Sequence, residues 1–324
     1  MVTLSDIREA QARIHAVAAR TPLLESRIHQ MWPNHDRRKL FLKLENLQPI
    51  GAFKLRGAYN KIASLSEDDR RRGVITYSSG NHAQGVAYAA KTLGIKAVIV
   101  MPNNAPKSKH KATAALGAEI VVVGPGSRER QLTAEALAAQ HGYIIVPPYN
   151  DEKIIAGQGT IGLEILEDLP KIETVLVPVG GGGLISGVAV ALKLSNPAIK
   201  VIGVEPELAA DAQASLRKGV IVEFPADQVS RTMADGLRTQ SVGKITFEHI
   251  QQFVDDIVTV SEVEIYEAVR RLAANPKTVA EPSGAVTAAA FWFHSGELPQ
   301  TMNNVVVISG GNIEPIMLQE AREG

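Results

Sequence analysis

The sequence predicts an α/β protein whose strands run parallel and are covered by helices on both faces. Short apolar runs rich in Val and Ile alternate with alanine-rich, helix-length segments almost to the C-terminus. The runs are continuously apolar, the pattern of strands buried on both sides. The length, 324 residues, exceeds what one hydrophobic core usually serves, which implies two domains or one large α/β unit.

Strands are expected at Leu40–Glu45, Val74–Ser78 and Ala97–Met101, then at Glu119–Val123, Tyr143–Val146 and Thr174–Val179. Val201–Glu205, Ile257–Val260 and Asn304–Ile308 complete the series. Between them, Ala83–Leu93 and Leu184–Leu194 are helices by composition. The stretch Met1–Arg20 is amphipathic and charged, without the apolar core of a signal peptide. No apolar run approaches the roughly 20 residues that a membrane helix needs. Basic and acidic residues are equal at 34 each, which gives no electrostatic case for nucleic acid or an anionic membrane. The lack of cysteine excludes disulfides, thiolate nucleophiles and Cys-based zinc sites. A soluble, cytoplasmic protein is expected.

In parallel sheets, ligands sit where strands end and helices begin. Three such places carry glycine and small polar residues: Ser78-Ser79-Gly80-Asn81-His82, Gly180-Gly181-Gly182-Gly183-Leu184 and Ser309-Gly310-Gly311-Asn312. A glycine run between strand and helix lets several backbone N–H groups approach a phosphate. The same run also fits a tight turn where two backbones touch. A dinucleotide site is a further rival, because Glu205 follows at about the distance of a ribose-binding carboxylate. The glycine spacing suits that rival poorly, since Ser186 occupies the third position. The Ser78–His82 loop can hold a carboxylate at a helix start or simply cap the helix. In Gly51–Lys61 (GAFKLRGAYNK), Lys54, Arg56 and Lys61 can all be solvated helix charges, or one lysine can be a reagent.

Read together, GAFKLRGA (51–58), SSGNHAQ (78–84), MPNNAPKSK (101–109), AGQGT (156–160), GGGGL (180–184), ADG (234–236), EPSGA (281–285) and SGGN (309–312) are similar to the pyridoxal-phosphate enzymes of the β-family. The resemblance is to the threonine/serine dehydratase and serine racemase group. It implies fold type II, two open, mostly parallel sheets as in the tryptophan synthase β chain, with pyridoxal 5′-phosphate in the cleft. It assigns the cofactor aldehyde to Lys54 with Phe53 beside it, and the phosphate to Gly180, Gly181, Gly182, Gly183 and Leu184. Asn81 would face the phenolic oxygen and Ser309 the pyridine nitrogen. Ser78, Ser79, Asn81 and His82 would frame the substrate carboxylate. Lys54 and Ser79 would be the catalytic pair, with Ser79 where the racemases carry their opposite-face acid/base. Arg56 and Lys61 keep the reading of solvated charges.

The spacing of Glu205, Ala209 and Asp211 matches the racemases' divalent-cation site, which suits Mg²⁺, Ca²⁺ or Mn²⁺ on hard oxygen ligands. Solvated acids around a helix start are the alternative. The implied activity is elimination of water from L-threonine or L-serine, giving 2-oxobutanoate or pyruvate and ammonia. Alternatives are serine racemase, a dehydratase of 3-hydroxyaspartate or another β-hydroxy amino acid and, outside the family, a nucleotide-dependent oxidoreductase. Thr133–Ala139 holds no arginine matching the racemases' extra substrate contact, which favours the dehydratase. The resemblance implies a large domain of residues 1–72 and 151–324, a small mobile domain of residues 73–150, and a homodimer or homotetramer. The short polar end after Asn312 is expected to leave no room for a C-terminal regulatory domain.

Overall fold

The computed structural model describes residues 1–26, 38–78, 80–105, 107–124 and 126–323. Ten strands are found among them: β1 Leu23–Ser26, β2 Lys39–Leu44, β3 Val74–Tyr77, β4 Ala97–Pro102, β5 Glu119–Val123, β6 Ile144–Ile145, β7 Thr174–Pro178, β8 Lys200–Pro206, β9 Asp256–Val260 and β10 Asn303–Ile308. The helices begin with α1 Leu4–Ile14, α2 Lys54–Ala63, α3 Glu67–Arg72, α4 Asn81–Leu93, α5 Lys107–Ala115 and α6 Ser127–His141. They continue with α7 Glu152–Asp168, α8 Gly183–Ser195, α9 Asp211–Lys218, α10 Ala226–Val229, α11 Lys244–Phe253, α12 Glu262–Ala273, α13 Pro282–Phe293 and α14 Pro315–Glu323.

The strands form two sheets, one ordered β1-β2-β10-β7-β8-β9 and the other β5-β4-β3-β6. Every pairing is parallel except that of β1 with β2. The fold is therefore the two-sheet, mostly parallel α/β architecture that the sequence implies. Alternate residues of each strand serve different cores. Val175 and Val177 of β7, with Val305 and Val307 of β10, pack under α1, α7, α8 and α11. Leu176, Val306 and Ile308 face α12, α13 and α14. In the smaller sheet, Val74, Ile99 and Met101 meet α2 and α4, while Ile75, Val98 and Val100 meet α6. Each buried Val or Ile contributes roughly 1.5–3 kcal/mol, so a strand buried on both faces needs no polar alternation.

Two elements differ from expectation. The antiparallel edge strand β1, whose four residues read LLES, has no continuous apolar run and so does not stand out in the sequence. The expected strand Tyr143–Val146 shrinks to Ile144–Ile145; Pro147 and Pro148 follow, and proline cannot donate to a ladder.

Arg56 is not a solvated charge. It is 1% exposed, and its Nε and Nη2 donate to the two carboxylate oxygens of Glu45, each at 2.8 Å. Its Nη1 donates to Glu164 at 2.7 Å, and the buried Lys43 Nζ donates to the same carboxylate at 2.6 Å. Lys61 pairs with Asp151 at 2.6 Å. The cause is packing: α2 crosses α7 so closely that a Cβ at Gly157 would lie 2.6 Å from Gly57 Cα. The helix keeps no free face, and Arg56 and Lys61 find carboxylates of the chain instead of solvent.

Candidate active site

The ends of β10 and of the Gly51 loop are zipped together. Phe53 N–H donates to Ser309 O at 3.0 Å, Gly311 N–H donates to Gly51 O at 2.9 Å, and Ala52 bridges Gly310. Gly51 makes this turn at φ 71°, in the left-handed region that favours glycine. The zipper fixes Phe53 on Ser309, and the next residue, Lys54, begins α2. Lys54 Nζ donates to Pro148 O at 2.8 Å and stands 5.1 Å from the centre of the Phe53 ring. Burial lowers its pKa to about 8, so an appreciable fraction of the amine is uncharged near neutral pH.

Beyond β7, Gly182 takes φ 89° and α8 begins at Gly183 with no side-chain cap. The leading N–H groups of a helix have no intrahelical partner, which makes this end a natural seat for an anion. The glycines also answer to packing. A Cβ at Gly182 would lie 2.9 Å from Thr246 Cβ, one at Gly183 would lie 3.0 Å from Tyr149 Cα, and Gly181 has no room against the Tyr149 ring. Both readings of the run thus have a physical basis here.

At the head of α4, the Asn81 side chain donates from Nδ2 to Glu281 Oε1 at 2.5 Å and accepts at Oδ1 from Asn312 Nδ2 at 2.8 Å. His82 is buried, and its Nε2 donates to Val146 O at 3.0 Å. Burial, with Lys54 as the second cause, lowers the His82 pKa to about 3, so the ring stays neutral. Ser78 lies just after β3, and its Oγ accepts from Gly80 N–H at 3.3 Å. Ser79 lies outside the described residues. Ser309 is buried, and its Oγ donates to Ser283 O at 3.4 Å.

The segment Val146–Tyr149 ties these groups together: Val146 O receives His82, Pro148 O receives Lys54, and Tyr149 covers the glycine run. Glu281 does not stand out in the sequence as a site residue, although it opens the EPSGA stretch. Its carboxyl group is raised to about 7, first by burial and then by Asp235.

Glu205 and Asp211 lie elsewhere, at the end of β8 and the start of α9. Glu205 accepts the N–H groups of Ala212 at 3.0 Å and Gln213 at 2.8 Å, so its carboxylate anchors a helix start and does not await a ribose. Both acids and Ala209 are fully buried, which rules out solvated acids. Both oxygens of Asp211 lack a hydrogen-bond partner. Burial pushes Asp211 up to about 8, and burial together with Asp211 raises Glu205. Such a pair fits a divalent cation on hard oxygens. Among the described residues no group of three or more His, Cys, Asp or Glu could hold a metal, so carbonyl or water oxygens would have to complete the shell.

The family model of pyridoxal-phosphate dependent enzymes matches residues 14–310. The chain belongs to that family. It is 48% identical over 321 residues to the L-threonine ammonia-lyase of Thermotoga maritima, covering 98% of this chain and 77% of that protein. Among solved structures, a threonine deaminase from T.th. is 44% identical with a TM-score of 0.89, covering 96% of this chain and 99% of that one. Maize serine racemase is 37% identical with a TM-score of 0.92, covering 99% and 97%. The expected kinship with threonine dehydratases and serine racemases is therefore present, and the oxidoreductase alternative falls. Pyridoxal phosphate is the cofactor of this family, and the protein is an enzyme of it. No helix among the described residues is long and apolar enough to cross a membrane.

Proposed function

We propose that the protein is a pyridoxal-phosphate-dependent ammonia-lyase that converts L-threonine, L-serine or both to the 2-oxo acid and ammonia. The observation that carries this reading is the zipper that joins Phe53, the residue before Lys54, to Ser309, with the half-buried Lys54 amine lowered to about 8. Lys54 would anchor the cofactor aldehyde with Phe53 beside it. The N–H groups of Gly180–Gly183 and Leu184 would receive the phosphate. Asn81 would face the phenolic oxygen and Ser309 the pyridine nitrogen.

Bound there, pyridoxal phosphate supplies an electron sink for the bonds at the substrate's α-carbon. The chain's own groups do the rest. The fraction of the Lys54 amine that burial leaves uncharged accepts the α-proton at Nζ. The head of α4, with Ser78, Ser79, Asn81 and His82, holds the substrate carboxylate, where the helix dipole favours negative charge. His82 contributes its position without a charge, because burial keeps the ring neutral. Ser309 would hold the pyridine nitrogen through a neutral hydroxyl, and the elimination balances when the proton taken up at Lys54 Nζ leaves with the β-hydroxyl as water.

Glu205, Asp211 and the Ala209 carbonyl would hold Mg²⁺, or Ca²⁺ or Mn²⁺, in support of the fold around the glycine run. Residues 73–150 form a small domain that closes on substrate over a large domain of residues 1–72 and 151–324. The same reading makes the protein a cytoplasmic homodimer or homotetramer, a state that size-exclusion chromatography tests.

Serine racemase is the second reading, favoured by the maize neighbour and the buried acid pair. A panel of threonine, serine, 3-hydroxyaspartate and related β-hydroxy amino acids, assayed for 2-oxo acid and for D-serine, separates the two. The expected result is 2-oxo acid from threonine or serine faster than D-serine from L-serine. Faster D-serine formation reverses the ranking, and no product from any member overturns the assignment.

A further inference from the structure

The carboxyl group of Glu281, next to the first residue of α13, is 2% exposed and takes the Asn81 amide. A chain of donors fixes how that amide is turned. Ile50 O can only accept, so Asn312 must present Nδ2 to it, at 2.9 Å. The same nitrogen reaches Asn81 Oδ1 at 2.8 Å. Asn81 therefore points its oxygen at Asn312 and its nitrogen at Glu281, with one Nδ2–H left for a third partner. On the far side Gly310 admits no side chain, since a Cβ there would lie 3.2 Å from both the Glu281 carboxyl carbon and Asn81 Nδ2. Gly310 follows Ser309, so this cluster borders the place where a pyridine ring would lie.

We propose that Glu281 is a positioning residue: it turns the remaining Nδ2–H of Asn81 toward the cofactor's phenolic oxygen, and its own proton controls how much negative charge that oxygen carries. The inference rests on Lys54 and Asn81 holding pyridoxal phosphate as read above, and deepens that reading. The charged groups that act on Glu281 are Asp235, from the turn at Asp235–Leu237, and Lys109 of α5; they are ion-paired with each other. Asp235 favours the neutral carboxyl and Lys109 the ionised one, and burial tips the balance so that the group titrates near neutral pH. Once ionised, Glu281 places a negative charge one amide away from the phenolic oxygen and opposes charge there.

The test uses holoenzyme, followed by the visible absorption of the bound cofactor from about pH 5.5 to 9 and by cofactor release on dilution, a range that brackets the Glu281 transition. Wild type should show a one-proton spectral transition near neutral pH. Glu281→Gln keeps an acceptor for Asn81 but has no proton to lose; it should lack that transition and retain cofactor within about twofold of wild type. Asn312→Ala, which frees the Asn81 amide, should keep the transition and release cofactor about tenfold faster. A role for Glu281 in folding alone would lower the melting temperature of Glu281→Gln and leave the spectral titration in place, and that result overturns the proposal. Wild-type cofactor retention in Asn312→Ala overturns it as well. A wild type with no visible band overturns the reading of Lys54 itself, so the two failures are distinct.

Discussion

Arg56 and Asp211 are both buried ionisable residues, yet they stand in opposite circumstances. Arg56 meets two carboxylates, and Lys43 completes a set of two cations and two anions. Asp211 has no well-formed hydrogen bond at either oxygen, only the nearby N–H groups of its own residue and of Val242, and has Glu205, another acid, as its neighbour. Lys54 resembles Asp211 in this respect, since its Nζ meets a backbone carbonyl and no counter-charge is among the causes of its shift. A buried charge with full compensation serves the fold. One left without it is tolerated for a ligand that is to come, because an uncompensated buried charge is costly.

The largest effect that can break this comparison is on catalysis. Lys54→Ala should lower turnover by at least about a thousandfold, at the upper end of what a positioned general base supplies, while thermal melting of the apoprotein stays unchanged or rises. A variant that keeps near wild-type turnover would place Lys54 outside the chemistry.

Arg56→Met should do the reverse. It leaves two buried carboxylates short of a partner and should cost about 3–5 kcal/mol of stability by chemical denaturation. Retained stability would mean that the network is dispensable.

Chelation should destabilise the protein by about 2–3 kcal/mol where a cation had been well above its dissociation constant, and the effect should grow with pH. The sign follows from Asp211, whose carboxyl is raised from 3.8 to about 8 in the folded chain. Between those values the folded state holds a proton that the unfolded state has released, so stability falls as pH rises toward about 8. A bound cation should flatten that slope, and Asp211→Asn should remove it without cation. Denaturation curves at two pH values, with and without Mg²⁺, measure it. The smallest effect marks the other end of the scale. Arg71 pairs with Glu67 at 3.1 Å on the surface of α3, and Arg71→Ala should change stability by no more than about 0.5 kcal/mol.

Much of this is readable in the sequence, and the exceptions have physical causes. The strands of both sheets stand out because burial on two faces removes polar alternation, whereas β1, a four-residue edge, has no such mark. The loops stand out because glycine and serine cluster where strands end. Arg56 reads wrongly as solvated because a cation in a helix carries no local sign of its partner; Glu45 and Glu164 lie 11 and 108 residues away. Glu281 stays hidden for the same reason, since its link to Asn81 spans 200 residues. Sequence alone also cannot show that Tyr149 is part of why Gly181 and Gly183 lack side chains.

The central claim is that Lys54 is the cofactor's anchor, and the most direct measurement is borohydride reduction of the holoenzyme followed by peptide mapping. Reduction makes the lysine–cofactor link permanent, and the modified residue is then located by mass. Label on the peptide containing Lys54 is predicted, with none in Lys54→Ala. Label on another lysine, or no label in a protein that carries pyridoxal phosphate, contradicts it.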